Sequence, residues 1–270
     1  MKMIAFDLDG TLLNSRKNIT QATKQILKEI SESGVVIAFA SGRLCSSMLK
    51  YATGIKHKIP LITLNGAEVF IGSENGLQQL YKITLPQKYA DYLIQYAKGK
   101  GFAVNYYLDG RLYAEKNEKA RQWIDLYVQQ TGTNYNFLST LGFLKGKFPS
   151  KVIFVGNSKE IDFQEKEFRS KWNHSVYICR TWKHYLEFLN IKADKGFGLD
   201  QLAKAYNIDL KDVIVFGDAQ NDIPMFRKAG YSIAVKNASE EVKSAADKVS
   251  QWSNDEDFLV HEWNILKKLI

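Results

Sequence analysis

Three times in this 270-residue chain a short, uncharged apolar run stops at a turn made of acidic, hydroxyl or glycine residues. The runs are Met3-Ile4-Ala5-Phe6, Val35-Val36-Ile37-Ala38-Phe39-Ala40 and Val213-Ile214-Val215-Phe216. Runs this short and this uniformly apolar suit strands buried on both faces, as in a parallel sheet covered by helices. They are followed by Asp7-Leu8-Asp9-Gly10-Thr11, by Ser41-Gly42-Arg43 and by Gly217-Asp218-Ala219-Gln220-Asn221-Asp222. Unpaired charge is expensive beside a buried strand, so acids at a strand exit point to chemistry. Asp7 and Asp9, two residues apart on an extended segment, point to the same side. Two acids sharing a site hold a divalent cation or divide nucleophile and acid/base roles, and both uses are expected here. The plainer reading, an Asx turn capping its own backbone, fits the first segment taken alone.

The other segments weigh against that plainer reading. Ser41 and Gly42 stand at a strand-to-helix turn, where a hydroxyl and backbone amides form a phosphate seat; a simple N-cap is the ordinary role of such a serine. Lys195, before Gly196 at the head of a helix expected over 196–206, can place a compact positive charge on a phosphate. Asp218 would complete an all-oxygen shell with Asp7, a donor set suited to Mg²⁺. Asn221 and Asp222 would orient that shell or touch a phosphate.

The ordered set Asp7-x-Asp9-Gly10-Thr11, Ser41, Lys195 and Gly217-Asp218-x-x-Asn221-Asp222 closely resembles the four motifs of the haloacid-dehalogenase-like phosphotransferase superfamily. Asn65-Gly66-Ala67, Asn221-Asp222-Ile223-Pro224-Met225, Ala234-Val235, Asn237-Ala238 and Ala246-Asp247 are similar to its Cof-type sugar-phosphate phosphatases. The resemblance covers roughly residues 1–83 and 188–270. It departs at Asp255-Glu256-Asp257-Phe258-Leu259-Val260, where the family has an acidic-Gly-Val segment, and this puts the local C-terminal geometry in question. The resemblance implies a doubly wound, Rossmann-like α/β core over 1–83 and 188–270, with an α+β cap inserted at 84–187 that selects the substrate.

The pattern of elements agrees. Apolar runs at 3–7, 35–40 and 60–64 alternate with helical stretches at 20–33 and 44–53. A hairpin is expected over 67–71 and 77–83, turning at Gly72, Asn75 and Gly76, and strands resume near 213–217, 231–235 and 247–249. The intervening segment holds strand candidates at 102–107, 111–115, 151–155, 175–179 and 184–189, with helices at 86–98, 118–130 and 158–171. From Lys82 to Glu187 seventeen Lys and Arg face ten Asp and Glu, so +7 of the chain's +8 lies in the insert. Such a field steers anionic substrates. The lysines are scattered rather than massed in one run, which argues against nucleic acid. Tyr89, Tyr92 and Tyr96, like Trp123 and Tyr127, recur at helical spacing and read as packed faces. His57, His174, His184 and His261 show no metal-ligand spacing; His184, near Lys195 in sequence where the insert returns to the core, reads as a surface-strand residue, with a place facing the substrate as the alternative. Cys45 and Cys179 match no metal pattern and suggest reduced thiols in the cytoplasm, with Cys45 packed. No stretch is long enough to span a membrane, and a monomer is expected.

The resemblance also implies roles. Asp7 attacks phosphorus and becomes an aspartyl-phosphate, while Asp9 protonates the leaving alkoxide and then deprotonates water. Mg²⁺ is held by Asp7, Asp218 and the main-chain carbonyl of Asp9, with Asp222 behind them. Leu8 through its backbone, Ser41, Gly42, Lys195 and Asn221 hold the phosphoryl group. The expected substrate is a small phosphorylated metabolite. A phosphomutase of the phosphomannomutase type shares these residues, and a phospho-ligand or nucleic-acid-binding module on a retired enzyme fold is the reading from outside catalysis.

Overall fold

The computed structural model describes residues 2–52, 59–73, 76–172 and 174–269. The N-terminal part forms β1 (Met3–Asp7), α1 (Gln21–Glu32), β2 (Val36–Ala40), α2 (Cys45–Ala52), β3 (Leu61–Thr63), β4 (Glu68–Ser73) and β5 (Gly76–Lys82). The insert contains α3 (Gln87–Ala97), β6 (Ala103–Leu108), β7 (Arg111–Glu115), α4 (Arg121–Thr131), β8 (Tyr135–Leu138), β9 (Lys151–Val155), α5 (Ser158–Lys171), β10 (Val176–Trp182) and β11 (Tyr185–Asn190). The chain ends with α6 (Lys195–Ala205), β12 (Val213–Gly217), α7 (Ile223–Phe226), β13 (Tyr231–Ala234), α8 (Glu240–Ala245), β14 (Lys248–Val249) and α9 (Phe258–Leu266). Two compact units result, Met1–Tyr81 with Asp194–Ile270, and Lys82–Ala193. The sequence put the second passage at 187/188, inside β11, whose pairing with β10 continues to Asn190.

In the first unit the strand order is β14-β13-β12-β1-β2-β3-β4-β5. The strands from β14 to β3 are parallel and β4 is antiparallel to β3. Side-chain alternation divides the buried strands between two cores. Ile4, Phe6, Ile37, Phe39, Ile214 and Phe216 pack with residues of α1, α2 and α9. Met3, Ala5, Ala38, Ala40, Val213 and Val215 pack with α6, α7 and α8. Helices therefore cover both faces, the doubly wound arrangement expected. Phe6 and Phe216 are wholly buried and stack across the β1–β12 pair at 5.1 Å; burying such a ring contributes about 2 kcal/mol. The chain builds outward through β2 and β3, then returns through β12 on the other flank of β1. That reversal opens a crevice at the carboxyl ends of β1 and β12.

The acidic segment that departs from the family pattern has a structural task. Asp257, at φ 49°, accepts hydrogen bonds from the Thr20 and Thr23 hydroxyls at 2.5 and 3.1 Å, and Asp255 accepts one from the Ser15 amide at 2.7 Å. The start of α9 is thereby clamped to the start of α1.

The second unit carries a sheet of order β10-β11-β9-β6-β7-β8, antiparallel except for β7 and β8. One face is an aromatic core in which Tyr89, Tyr92 and Tyr96 pack against Trp172 and Phe168, as their helical spacing predicts. The other carries α4 over β6 and β9. No residue of β8 is buried and Asn136 interrupts its apolar residues, so no continuous apolar run announces this strand in the sequence. Gly72, expected in a turn, lies within β4. Thr53, His57 and Asn75 lie outside the described residues. Among the described residues no helix is long and apolar enough to cross a membrane.

Candidate active site

Strand β1 delivers Asp7 into the crevice, where its buried Oδ1 lies 2.5 Å from Lys195 Nζ. Lys195 begins α6, whose N-cap Asp194 accepts a hydrogen bond from the Phe197 amide at 2.7 Å. The ammonium is almost wholly buried and also donates to Asp222 Oδ1 at 2.5 Å. Asp222 Oδ2 accepts the amides of Asp218 and Ala219, both at 3.0 Å, so this acid folds the turn after β12 around itself. Asp218 stands at the mouth of that turn and accepts the Thr11 hydroxyl at 2.9 Å. The loop after β1 approaches it so closely that a Cβ on Gly10, at φ +85°, would fall 2.4 Å from Asp218 Oδ2. Only glycine fits both that space and that backbone.

Asp7, Asp218 and Asp222 each offer an oxygen within 4.8 Å of the others. Among the described residues, three carboxylates here face one ammonium, leaving an excess of negative charge. Burial, followed by the charges of Asp222 and Asp218, raises the Asp7 carboxyl against the pull of Lys195. Asp218 is pushed up to about 7, by burial first and by Asp222 next, while the Thr11 hydroxyl opposes. Burial would lower the Lys195 ammonium, yet Asp222 and Asp7 outweigh it and hold it above the usual lysine range. An all-oxygen set short of positive charge is what a hard divalent cation complements, so these residues fit Mg²⁺.

Asp9 is placed differently. Its carboxylate is gripped by Arg43, with Nε at 2.6 Å and Nη2 at 2.7 Å, and by Lys17 at 2.9 Å. Burial works to raise its pKa, but the Arg43 bonds and the charges of Arg43 and Lys17 prevail and hold it at about 2. Its side chain therefore stands apart from the three-acid cluster. Leu8 is buried in the same loop and its carbonyl accepts the Leu13 amide at 2.8 Å. The buried Ser41 hydroxyl accepts the Arg43 amide at 3.3 Å, a turn-forming bond of the kind its ordinary reading foresaw. Gly42 lies against Asn65, and Asn221 donates to Asn65 Oδ1 at 3.0 Å.

Sequence reasoning thus missed Arg43, Lys17, Thr11 and Asn65 as members of the site. Arg43 follows Ser41-Gly42 directly, and that adjacency was the available signal; for Lys17 there was none. His184 sits in the turn before β11, with Nδ1 2.8 Å from the Gly156 carbonyl and its ring between Trp123 and Trp182.

The sequence pattern of the haloacid dehalogenase-like hydrolases matches residues 4–261. The chain belongs to that family. A putative phosphatase of Buchnera aphidicola subsp. Schizaphis graminum is 29% identical, covering 90% of this chain and 86% of the relative. A 5-amino-6-(5-phospho-D-ribitylamino)uracil phosphatase of Bacillus subtilis is 26% identical, covering 95% of each. The crystal structure of a haloacid dehalogenase-like hydrolase from Bacteroides thetaiotaomicron superposes with a TM-score of 0.86 at 25% identity, covering 100% of this chain and 99% of that one. The protein is accordingly a hydrolase, and its curated relatives are phosphatases of the same family.

Proposed function

We propose that this hydrolase is a Mg²⁺-dependent phosphatase of small phosphomonoesters, sugar phosphates or related metabolites, working through an aspartyl-phosphate on Asp7. The observation that carries the reading is the cluster of Asp7, Asp218 and Asp222 around the ammonium of Lys195. A pure binder of phosphate has no need of surplus acid, whereas a carboxylate nucleophile that works beside a divalent cation needs acids to hold that cation. The Bacillus relative's name describes a phosphate on a sugar-alcohol chain, which supports that substrate class. Basic charge in the insert supports an anionic substrate, with the insert as the selecting element. The low cysteine content, two in 270 residues, supports a reducing, cytoplasmic setting.

The cation would be held by the carboxylates of Asp7 and Asp218 and the main-chain carbonyl of Asp9, with Asp222 orienting the Asp218 turn. When bound it supplies the positive charge that offsets repulsion between carboxylate and phosphate. Lys195 fixes the rotation of the Asp7 carboxylate through Oδ1. Asp7 attacks phosphorus in line, dividing one difficult displacement into two easier ones. Ser41, Gly42, Lys195, Asn221 and the Leu8 backbone hold the transferred group, where positioning and electrostatics do most of the catalysis. Asp9 in its Arg43 pairing is ionised, the form that accepts a proton from the attacking water. To protonate the leaving oxygen it must first leave Arg43, for whose guanidinium an incoming phosphate competes, and take up a proton from solvent.

The test is release of p-nitrophenol from p-nitrophenyl phosphate by purified protein, with Mg²⁺ and with EDTA, beside Asp7→Asn. Mg²⁺-dependent release that disappears in the variant is the expected result. No release from the wild-type protein at saturating Mg²⁺ would overturn the reading.

A further inference from the structure

Three residues after β3 adopt positive φ in succession: Leu64 at 48°, Asn65 at 55° and Gly66 at 89°. Only glycine takes this conformation freely, and a leucine there is uncommon. Leu64 and Asn65 are both buried. Backbone strain in such a place persists only where the surroundings over-determine it, which is characteristic of functional sites.

The surroundings are the segments assigned to phosphate binding. The Asn65 amide donates to the Ser41 carbonyl at 3.1 Å and the Leu64 amide to the Arg43 carbonyl at 3.0 Å, stitching the turn to the loop after β2. The Asn65 side chain accepts through Oδ1 from Asn221 Nδ2 at 3.0 Å, joining it to the turn after β12. Gly66 approaches α6 so closely that a Cβ there would lie 1.9 Å from the Asp194 carbonyl oxygen and 3.2 Å from the Lys195 nitrogen. One left-handed turn therefore touches the segments bearing Ser41, Asn221 and Lys195, which lie far apart in sequence. Asn221 Nδ2 carries two protons. Giving one to Asn65 fixes the carboxamide's orientation and aims the other.

We propose that Asn65 is a positioning residue for phosphoryl transfer, setting the Asn221 carboxamide and the Ser41–Arg43 loop in register on the same phosphoryl group. This rests on the phosphatase reading. Asn65 does not touch the reacting atoms; it acts through Asn221. Its backbone conformation and its carboxamide are separable, because Asn65→Gly keeps the first and removes the second, while Asn65→Ala loses the carboxamide and also strains the turn.

The experiment measures kcat, KM and Tm with p-nitrophenyl phosphate and Mg²⁺ for wild type, Asn65→Gly, Asn65→Ala, Asn221→Ala and Asn65→Gly/Asn221→Ala. Asn65→Gly is expected to lower kcat/KM about 10- to 100-fold with Tm held within about 3 °C. In the Asn221→Ala background the same change is expected to cost less than about twofold, because the group it positions is gone. Asn65→Ala should lower Tm further without a matching further loss of kcat/KM. Unchanged kcat/KM in Asn65→Gly, equal losses in both backgrounds, or activity that simply follows Tm across the Gly and Ala variants would each overturn the inference while leaving the phosphatase reading intact. A wild-type protein with no turnover overturns that reading, and this inference with it.

Discussion

The two units of the chain each bury a lysine against carboxylates. In the core, Lys195 meets Asp7 and Asp222 at 2.5 Å each, with Asp218 in the same cluster. In the insert, Lys151, wholly buried on β9, meets Glu187 of β11 at 3.0 Å. Glu187 also accepts the Thr181 hydroxyl at 2.6 Å, and the Lys151 ammonium lies 5.0 Å from the centre of the Tyr107 ring. One positive charge matches one negative charge there, and hydrogen bonds satisfy the pair. Such an arrangement tolerates burial because nothing in it is left over. The core cluster carries more acid than Lys195 can balance, and burial first, then the neighbouring acids, raise the Asp7 and Asp218 carboxyls. Burial alone does not mark a buried ion pair as a site; the charge left unmatched does.

The strongest way to break this comparison is to neutralise one acid on each side. Asp7→Asn should lower turnover by at least about 10⁴-fold, whereas Glu187→Gln should leave kcat within about twofold, both read with an aryl phosphate. Comparable losses from the two would dissolve the distinction between them.

Stability offers a second way to break the comparison. Glu187→Leu takes the carboxylate away from the buried Lys151 ammonium, at a cost of about 3–5 kcal/mol, read as a lower midpoint in urea. Lys151→Met/Glu187→Leu should recover most of that loss, since an apolar pair of similar size replaces the ionic one. In the core, Lys195→Met/Asp222→Leu should restore no turnover, whatever it does to the midpoint.

A smaller effect should follow from adding the cation. Mg²⁺ at about 100 times its dissociation constant should stabilise the protein by about 2.7 kcal/mol, raising Tm by several degrees, and EDTA should reverse it. Asp218→Asn should abolish that rise and Glu187→Gln should not, which thermal scans with and without Mg²⁺ would settle.

The smallest contrast concerns the core's half-buried thiol. Burial, helped by the charge of Glu68, pushes Cys45 up to about 11. The thiolate is the reactive form, so at pH 8 only about one part in a thousand of Cys45 should be reactive. Its alkylation by iodoacetamide should keep accelerating until the pH passes about 11. A rate that levels off near pH 8.5, the ordinary thiol value, would show that its surroundings exert no such hold.

Much of the core was legible in the sequence because its strands are short, apolar throughout and end at distinctive turns. Met3–Phe6 and Val213–Phe216 are such runs, and the acids behind them could be named before any contact was known. Strand β8 was not legible, since none of its residues is buried and its place is set by pairing with β7. Asn65-Gly66-Ala67 was visible as a family likeness, but the left-handed turn that bonds Asn65 to Asn221 was not. The pairing of Asp9 with Arg43 was hidden for a similar reason: a carboxylate at a strand exit looks the same whether it points toward its neighbouring acid or away from it.

The sequence by itself determined which acids, hydroxyls and amides stand at the ends of buried strands, because an apolar run and the turn that stops it are neighbours along the chain. Tertiary structure decided which of those groups share a charge. Lys195 and Asp7 are 188 residues apart, and Thr11 and Asp218 are 207 apart. Their contacts depend on the sheet reversing its order at β1 and β12, and electrostatic energy depends on distance through space rather than along the chain.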